Sequence, residues 1–136
     1  MGDEGKSSAL WREPLAVFTG GVAGTLLRAG LLEAFPVHPG AWPWPTFIAN
    51  VAGCAMLSFV ITHLRVNGGP SVRLALLGTG FCGALTTFST LQVELYDLLD
   101  AGESGTAVVY LGTSIALGLL AVAFTRRAVE RGRELA

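Results

Sequence analysis

Four long stretches of this chain carry almost no charge, and each is bounded by proline, glycine or clustered charge. Leu15 to Leu27, Thr46 to Thr62, Leu74 to Glu94 and Thr106 to Thr125 contain no Lys, Arg or Asp, and their only acid is Glu94 itself. Apolar runs of roughly 17–25 residues match a hydrocarbon core about 30 Å thick. With 51% hydrophobic and 14% charged residues, the chain of 136 residues is too apolar for a soluble domain of its size. Its mean hydropathy, +0.57, says the same. The expected fold is an all-α membrane protein, one four-helix membrane domain over 1–136 with transmembrane helices at about 15–33, 46–64, 74–99 and 106–125. A cleaved signal peptide is not expected, because the first apolar run continues past the usual length and no cleavage site followed by a soluble domain is visible.

The connections are well marked. Glu13-Pro14 is expected to open the first helix, since proline is tolerated in a first turn. Pro36-Val37-His38-Pro39-Gly40 with Pro43 and Pro45, Asn67-Gly68-Gly69-Pro70, and Asp100 to Gly105 read as the three connections. The segment Arg126 to Ala136 continues as a charged helix or frays.

With four spans, both termini and the second connection share one side of the membrane. Lys6, Arg12, Arg65, Arg73, Arg126, Arg127, Arg131 and Arg133 fall there, and of nine basic residues only Arg28 lies elsewhere. The third connection has only acids, Asp97, Asp100 and Glu103. The positive-inside rule then makes the termini cytoplasmic. Trp11 near one interface, and Trp42 and Trp44 near the other, fit an aromatic belt.

Polar groups inside a span must be satisfied by protein or line a wet path. The segment Gly83-Ala84-Leu85-Thr86-Thr87-Phe88-Ser89-Thr90 packs four hydroxyls around one aromatic. Any one hydroxyl could bond back to its own i−4 carbonyl. Four within five residues, preceded by Gly78, Gly80 and Gly83, predict instead that the third helix is broken here. A break frees carbonyls for a cation and N–H groups for an anion.

Asn50, one turn into the second span, reads equally as an interhelical hydrogen bond or as a donor to an anion. Tyr110 and Ser114 share one face of the fourth helix, with Thr113 beside it. Arg28 fits a snorkelling interface residue, or a positive charge that concentrates anions at a vestibule. Glu94 is expected on the face of Thr87, Thr90 and Leu91, paired with Arg28 or bonded to hydroxyls, in a structural role. Gly20-Gly21-x-x-Gly24 and Ala49-x-x-x-Gly53 are small-residue patterns for close helix packing, some of it expected against a second subunit. Cys54 and Cys82 read as small hydrophobes, and His38 and His63 as surface residues. Nothing in the chain assembles a nucleophile, base and acid, so no enzyme is expected; the basic residues are explained by topology, so nucleic acid is not expected as a partner either.

These motifs together resemble the small fluoride channels called Fluc or CrcB, over essentially the whole membrane region. The matching segments are Gly20 to Arg28, Asn50-Val51-Ala52-Gly53, and Gly80 to Thr90 followed by Glu94. The resemblance implies an antiparallel dimer with two narrow pores in a bacterial plasma membrane, passing fluoride passively. It also implies a structural Na⁺ at the dimer centre, held by the backbone carbonyls of Gly83 and Thr86. Asn50, Phe88, Tyr110 and Ser114 carry over as pore residues, and Arg28, Thr87, Ser89, Thr90 and Glu94 complete the expected ion pathway. Two positions depart from the family pattern: Leu91 stands at its second Phe, and Gly118 at a lower hydroxyl of the fourth helix. The strong charge bias adds an expectation. A chain that inserts one way up needs an oppositely inserted homologue, so a heterodimer is expected in the cell. The reading set against all this is a small four-helix drug/proton exporter, which needs a carboxylate in the first helix; Leu15 to Leu32 has none. An accessory subunit of a heterodimeric channel is the third.

Overall fold

A computed structural model describes residues 4–66 and 71–134 of the chain, with side chains over 11–64, 72–132 and 134. The expected second connection, Asn67 to Pro70, lies outside the described residues, as do the side chains of Lys6, Arg65 and Arg133. The elements are α1 (Glu4–Ala34), α2 (Trp44–Val66), α3 (Ser71–Arg73), a π-helical segment (Leu74–Cys82), α4 (Gly83–Leu85), α5 (Phe88–Asp100) and α6 (Ser104–Glu134). No strand occurs among the described residues. Four helical stretches are long and apolar enough to cross a bilayer: Trp11–Ala34, Trp44–Leu64, Leu74–Asp100 and Ser104–Gly132. This is a multi-pass membrane protein.

Pro14 does not open α1, which begins near Glu4 and carries the proline in its interior. The ring removes one i→i−4 hydrogen bond there. At the other end of the chain, α6 runs on through Arg126 and Arg127 to Glu134 as a charged helix, where Arg126 pairs with Glu130 at 2.9 Å. The turn from α5 to α6 is a Schellman motif. Gly102 N donates to Leu99 O at 3.0 Å and Glu103 N to Leu98 O at 2.8 Å, with Gly102 at φ 79°.

Helix α1 lies against the π segment backbone to backbone. A Cβ on Gly20 would run into the Leu76 carbonyl, one on Gly24 into the Phe81 carbonyl, and one on Gly80 into Val17 O at 2.6 Å. These glycines are therefore spent within the chain. Gly21 has nothing within 4 Å and faces outward. The π segment spans nine residues, far longer than the single wide turn usual inside α-helices, and such segments concentrate at functional sites. Gly78 and Gly80 put no side chain in the way of its wider turns.

At the far end a second core forms from side chains. Leu91, Leu98, Ala107 and Tyr110 are buried together, with Trp42, Phe47 and Leu95 packed around them. Trp42 meets Tyr110 edge-on at 5.4 Å and Phe47 edge-on at 5.5 Å. Of the two tryptophans expected at this interface, Trp44 is exposed whereas Trp42 turns into the core.

Candidate functional site

The third span breaks where the hydroxyl cluster lies. Helix α4 stops at Leu85, and Thr86 (φ −77°, ψ 147°) and Thr87 (φ −148°, ψ 123°) are extended before α5 begins. Asn50 pins the break from α2. Its Nδ2 donates to Thr87 O at 3.1 Å, and Thr87 N donates to its Oδ1 at 2.8 Å. The amide thus pairs with Thr87 as a neighbouring strand would, so both hydrogen-bonding groups of one extended residue are satisfied inside the membrane. The Thr87 side chain then caps α5: its Oγ1 accepts from Thr90 N at 3.2 Å and donates to Thr90 Oγ1 at 3.0 Å, with Ser89 Oγ in hydrogen-bond contact at 3.2 Å.

Those two arrangements divert two helical donors. In a continuous helix Thr87 N–H would close on Gly83 O and Thr90 N–H on Thr86 O. Here the first goes to Asn50 and the second to the Thr87 hydroxyl. The carbonyl between them in sequence, Ala84 O, is answered by Arg28 Nε at 3.1 Å. Arg28 therefore reaches into the break and is half-buried there, so snorkelling alone does not describe it. The Thr86 hydroxyl bonds back to Cys82 O at 3.0 Å, the local pattern open to any one of these hydroxyls.

Of the two partnerships open to Glu94, the one with hydroxyls forms. Its Oε1 accepts from Thr46 Oγ1 at 2.5 Å and its Oε2 from Tyr110 OH at 2.7 Å. Thr46 and Tyr110 are both fully buried. The carboxylate thus ties α2, α5 and α6 together below the break. Thr46 did not stand out in the sequence; the signal was its place one turn before Asn50 on the same face of α2.

The remaining expected positions separate. Phe88 is 70% exposed and points away from its own chain, and Ser89 is exposed beside it. Leu91, only 6% exposed, sits in the core against Tyr110, Leu98 and Ala107. Ser114 Oγ is buried with no hydrogen-bond partner among the described residues. Thr113 bonds back to Val109 O at 2.6 Å and is spent on its own helix.

Fold and site together define a small four-span membrane protein whose third span is opened by a threonine pair and held open by an asparagine from the second. The model of the CrcB-like protein family, Camphor Resistance (CrcB), matches residues 15–126, and the chain belongs to that family. It is 47% identical over 124 residues to the fluoride-specific ion channel FluC 1 of Mycolicibacterium paratuberculosis, covering 90% of this chain and 94% of the relative. The protein of the same name from Mycobacterium bovis is 46% identical over the same shares. The fluoride-specific ion channel FluC 2 of Streptococcus pneumoniae is 41% identical over 84% of this chain and 92% of its own.

Proposed function

We propose that this chain is a subunit of a fluoride-selective channel that lets cytoplasmic fluoride leave passively and so lowers its toxicity. The observation that carries the reading is the pinned break of the third span, in a family whose members above are named for fluoride. Fluoride is small and holds its water tightly, so a path for it must offer close hydrogen-bond donors in exchange. The break gathers such donors in the hydroxyls of Ser89 and Thr90, which Thr87 positions, with the second amide hydrogen of Asn50 and the Ser114 hydroxyl on the neighbouring helices. The positive edge of an aromatic ring can also face an anion, and the exposed ring of Phe88 suits that task. Tyr110 and Glu94 hold the far wall, and Arg28 supplies a positive charge beside the break. Fluoride's parent acid crosses membranes neutral and ionises in the cytosol; a channel gives the trapped anion a way out.

A structural Na⁺ fits the same place. Carbonyl oxygens suit a hard cation, and Gly83 and Thr86 are the residues whose carbonyls have lost their helical donors to Asn50 and Thr87. When bound, the ion would supply a fixed positive charge that locks the broken backbone of one subunit to that of the next.

The functional unit in this reading is an antiparallel dimer. The exposed ring of Phe88 and the open space beside Gly21 support a second subunit. The basic residues direct both termini to the cytoplasmic side of the plasma membrane, which leaves the opposite orientation to a divergent homologue, giving a heterodimer in the cell. Leu91 agrees with one competent aromatic per chain, because its position is filled by this chain's own core. The test is fluoride resistance of a fluoride-sensitive bacterium expressing this chain with and without such a homologue, read beside labelling of a C-terminal cysteine in intact cells. Resistance with the partner and one-sided labelling are expected. Full resistance from this chain alone with labelling from both sides would replace the heterodimer by a homodimer, and no resistance in either case would remove the channel.

A further inference from the structure

Helices α2 and α6 run parallel in a fixed register. Ser58 Oγ donates to Val122 O at 3.0 Å across an offset of 64 residues. Cys54 faces Gly118 at the same offset, its Sγ lying 3.6 Å from where a Gly118 Cβ would stand. One turn earlier this register brings Asn50 level with Ser114. One turn before that, Thr46 and Tyr110 meet through the Glu94 carboxylate. Positions four apart share a helix face, so α2 turns Thr46, Asn50, Cys54 and Ser58 toward a stripe of α6 holding Tyr110, Ser114, Gly118 and Val122. Each level carries a polar group. At the third, α6 has no side chain to give and the polar atom is the thiol.

Gly118 differs from the other buried glycines. Gly20 and Gly80 are required because backbones touch, whereas 3.6 Å is ordinary contact and a Cβ would fit at Gly118. Close packing therefore does not demand a glycine there. Its effect is to leave the space of one small group beside the Cys54 thiol, one turn from Ser114, whose Oγ is buried without a partner among the described residues. Buried hydroxyls are ordinarily paired, and one that is not calls for a ligand or a water.

We propose that Cys54 lines the anion path at the level of Gly118, where its thiol, one turn from the Ser114 hydroxyl, provides the donor that the fourth helix lacks at that level. This rests on the fluoride reading above and names a further residue of the same path. It also makes transport by this chain sensitive to small thiol reagents. With methyl methanethiosulfonate, the Cys54 sulfur forms an S–S bond to the methylthio group. The reagent's own S–S bond breaks, methanesulfinate leaves and the thiol proton goes to water. The added methylthio group occupies the space beside Gly118 and closes the path.

The experiment measures fluoride efflux from liposomes before and after the reagent, with labelling at each cysteine read by mass spectrometry. Wild type, Cys82→Ala, Cys54→Ser and Cys54→Ala are each compared with their own unlabelled flux. Cys82 is fully buried in the π segment and serves as the second thiol. Wild type and Cys82→Ala are expected to lose most of their flux as Cys54 becomes labelled, whereas both Cys54 variants keep theirs. Retained flux in fully labelled wild type, a Cys54 that stays unlabelled, or block that persists in both Cys54 variants would each overturn the inference. Absence of fluoride flux before any reagent is added would overturn the functional reading, and this inference with it.

Discussion

The two halves of the third span are held by opposite means. From Leu74 to Leu85 the contacts are made by backbone: α1 lies on the π segment where Gly20, Gly24 and Gly80 have no Cβ to keep the chains apart. From Phe88 to Asp100 they are made by side chains: Leu91 and Leu98 fill a core with Tyr110, and Glu94 bonds to helices on either side. The break falls where one regime gives way to the other. A backbone-packed half tolerates almost no added volume, and a side-chain-packed half tolerates almost no lost partner.

The comparison breaks first at the glycines. Gly80→Ala would drive a Cβ to 2.6 Å from Val17 O and 3.1 Å from Gly20 Cα. Forced overpacking typically costs about 1–3 kcal/mol and occasionally more; with backbone on both sides the upper end is expected here, read as loss of monodisperse protein on size exclusion in detergent. Gly21→Ala, with nothing of its own chain within 4 Å, should remain monodisperse in that measurement, whether or not its subunits still pair. Equal behaviour of the two variants would mean that α1 and the π segment do not meet backbone to backbone.

In the other half the largest effect is expected at Glu94. Glu94→Ala leaves the Thr46 and Tyr110 hydroxyls buried without their acceptor, a penalty of roughly 2–4 kcal/mol that thermal unfolding in detergent would register. Tyr110→Phe removes one of the two bonds and should cost about half as much. A smaller loss of stability, about 1–2 kcal/mol, is expected for Asn50→Ala, which leaves both backbone groups of Thr87 without their partner. Its effect on transport should be larger than that figure suggests, because the Thr87 N–H is then free to close on Gly83 O and mend the helix. Phe88→Ile should cut fluoride flux while the subunit stays folded, since the ring is not used within its own chain. The smallest effect belongs to Thr86→Val, which keeps the carbonyl and the shape of the side chain. Stability within roughly 1 kcal/mol of wild type and unchanged Na⁺ binding are expected; loss of Na⁺ from the intact variant would count against carbonyl ligation.

Much of this arrangement is legible in the residues, and what is not has identifiable causes. The four spans follow from where charge is missing, and the break from four hydroxyls in five residues, because both are local statements about what hydrocarbon tolerates. In the sequence Asn50 reads equally as a bond to another helix or a donor to an anion; the structure gives it a bond to backbone, and no side-chain pattern encodes a partner that every residue carries. Thr46 is not legible in the sequence, because one threonine at the start of a span has the same local meaning whether or not a carboxylate from another helix comes to meet it. The π segment leaves no local signature, since its wider turns use the same apolar and glycine residues as an α-helix. Pro14 and Leu91 show the limit from the other side. A proline near a helix start reads by position, yet α1 begins near Glu4 and carries Pro14 inside it. A leucine at an aromatic's usual place also reads by position, and Leu91 is packed into its own chain's core.

The central claim is that the break pinned by Asn50 is a path for fluoride. The most direct measurement is ion release from liposomes reconstituted with the purified protein, whose copies can pair antiparallel in detergent because detergent imposes no orientation. Release is followed with a fluoride electrode, with chloride and a lipophilic cation as comparison species. The account predicts rapid fluoride release, no release of either comparison species, and loss of the fluoride signal in folded Asn50→Ala. No fluoride release, equal passage of chloride, or wild-type flux in the Asn50→Ala protein would contradict it.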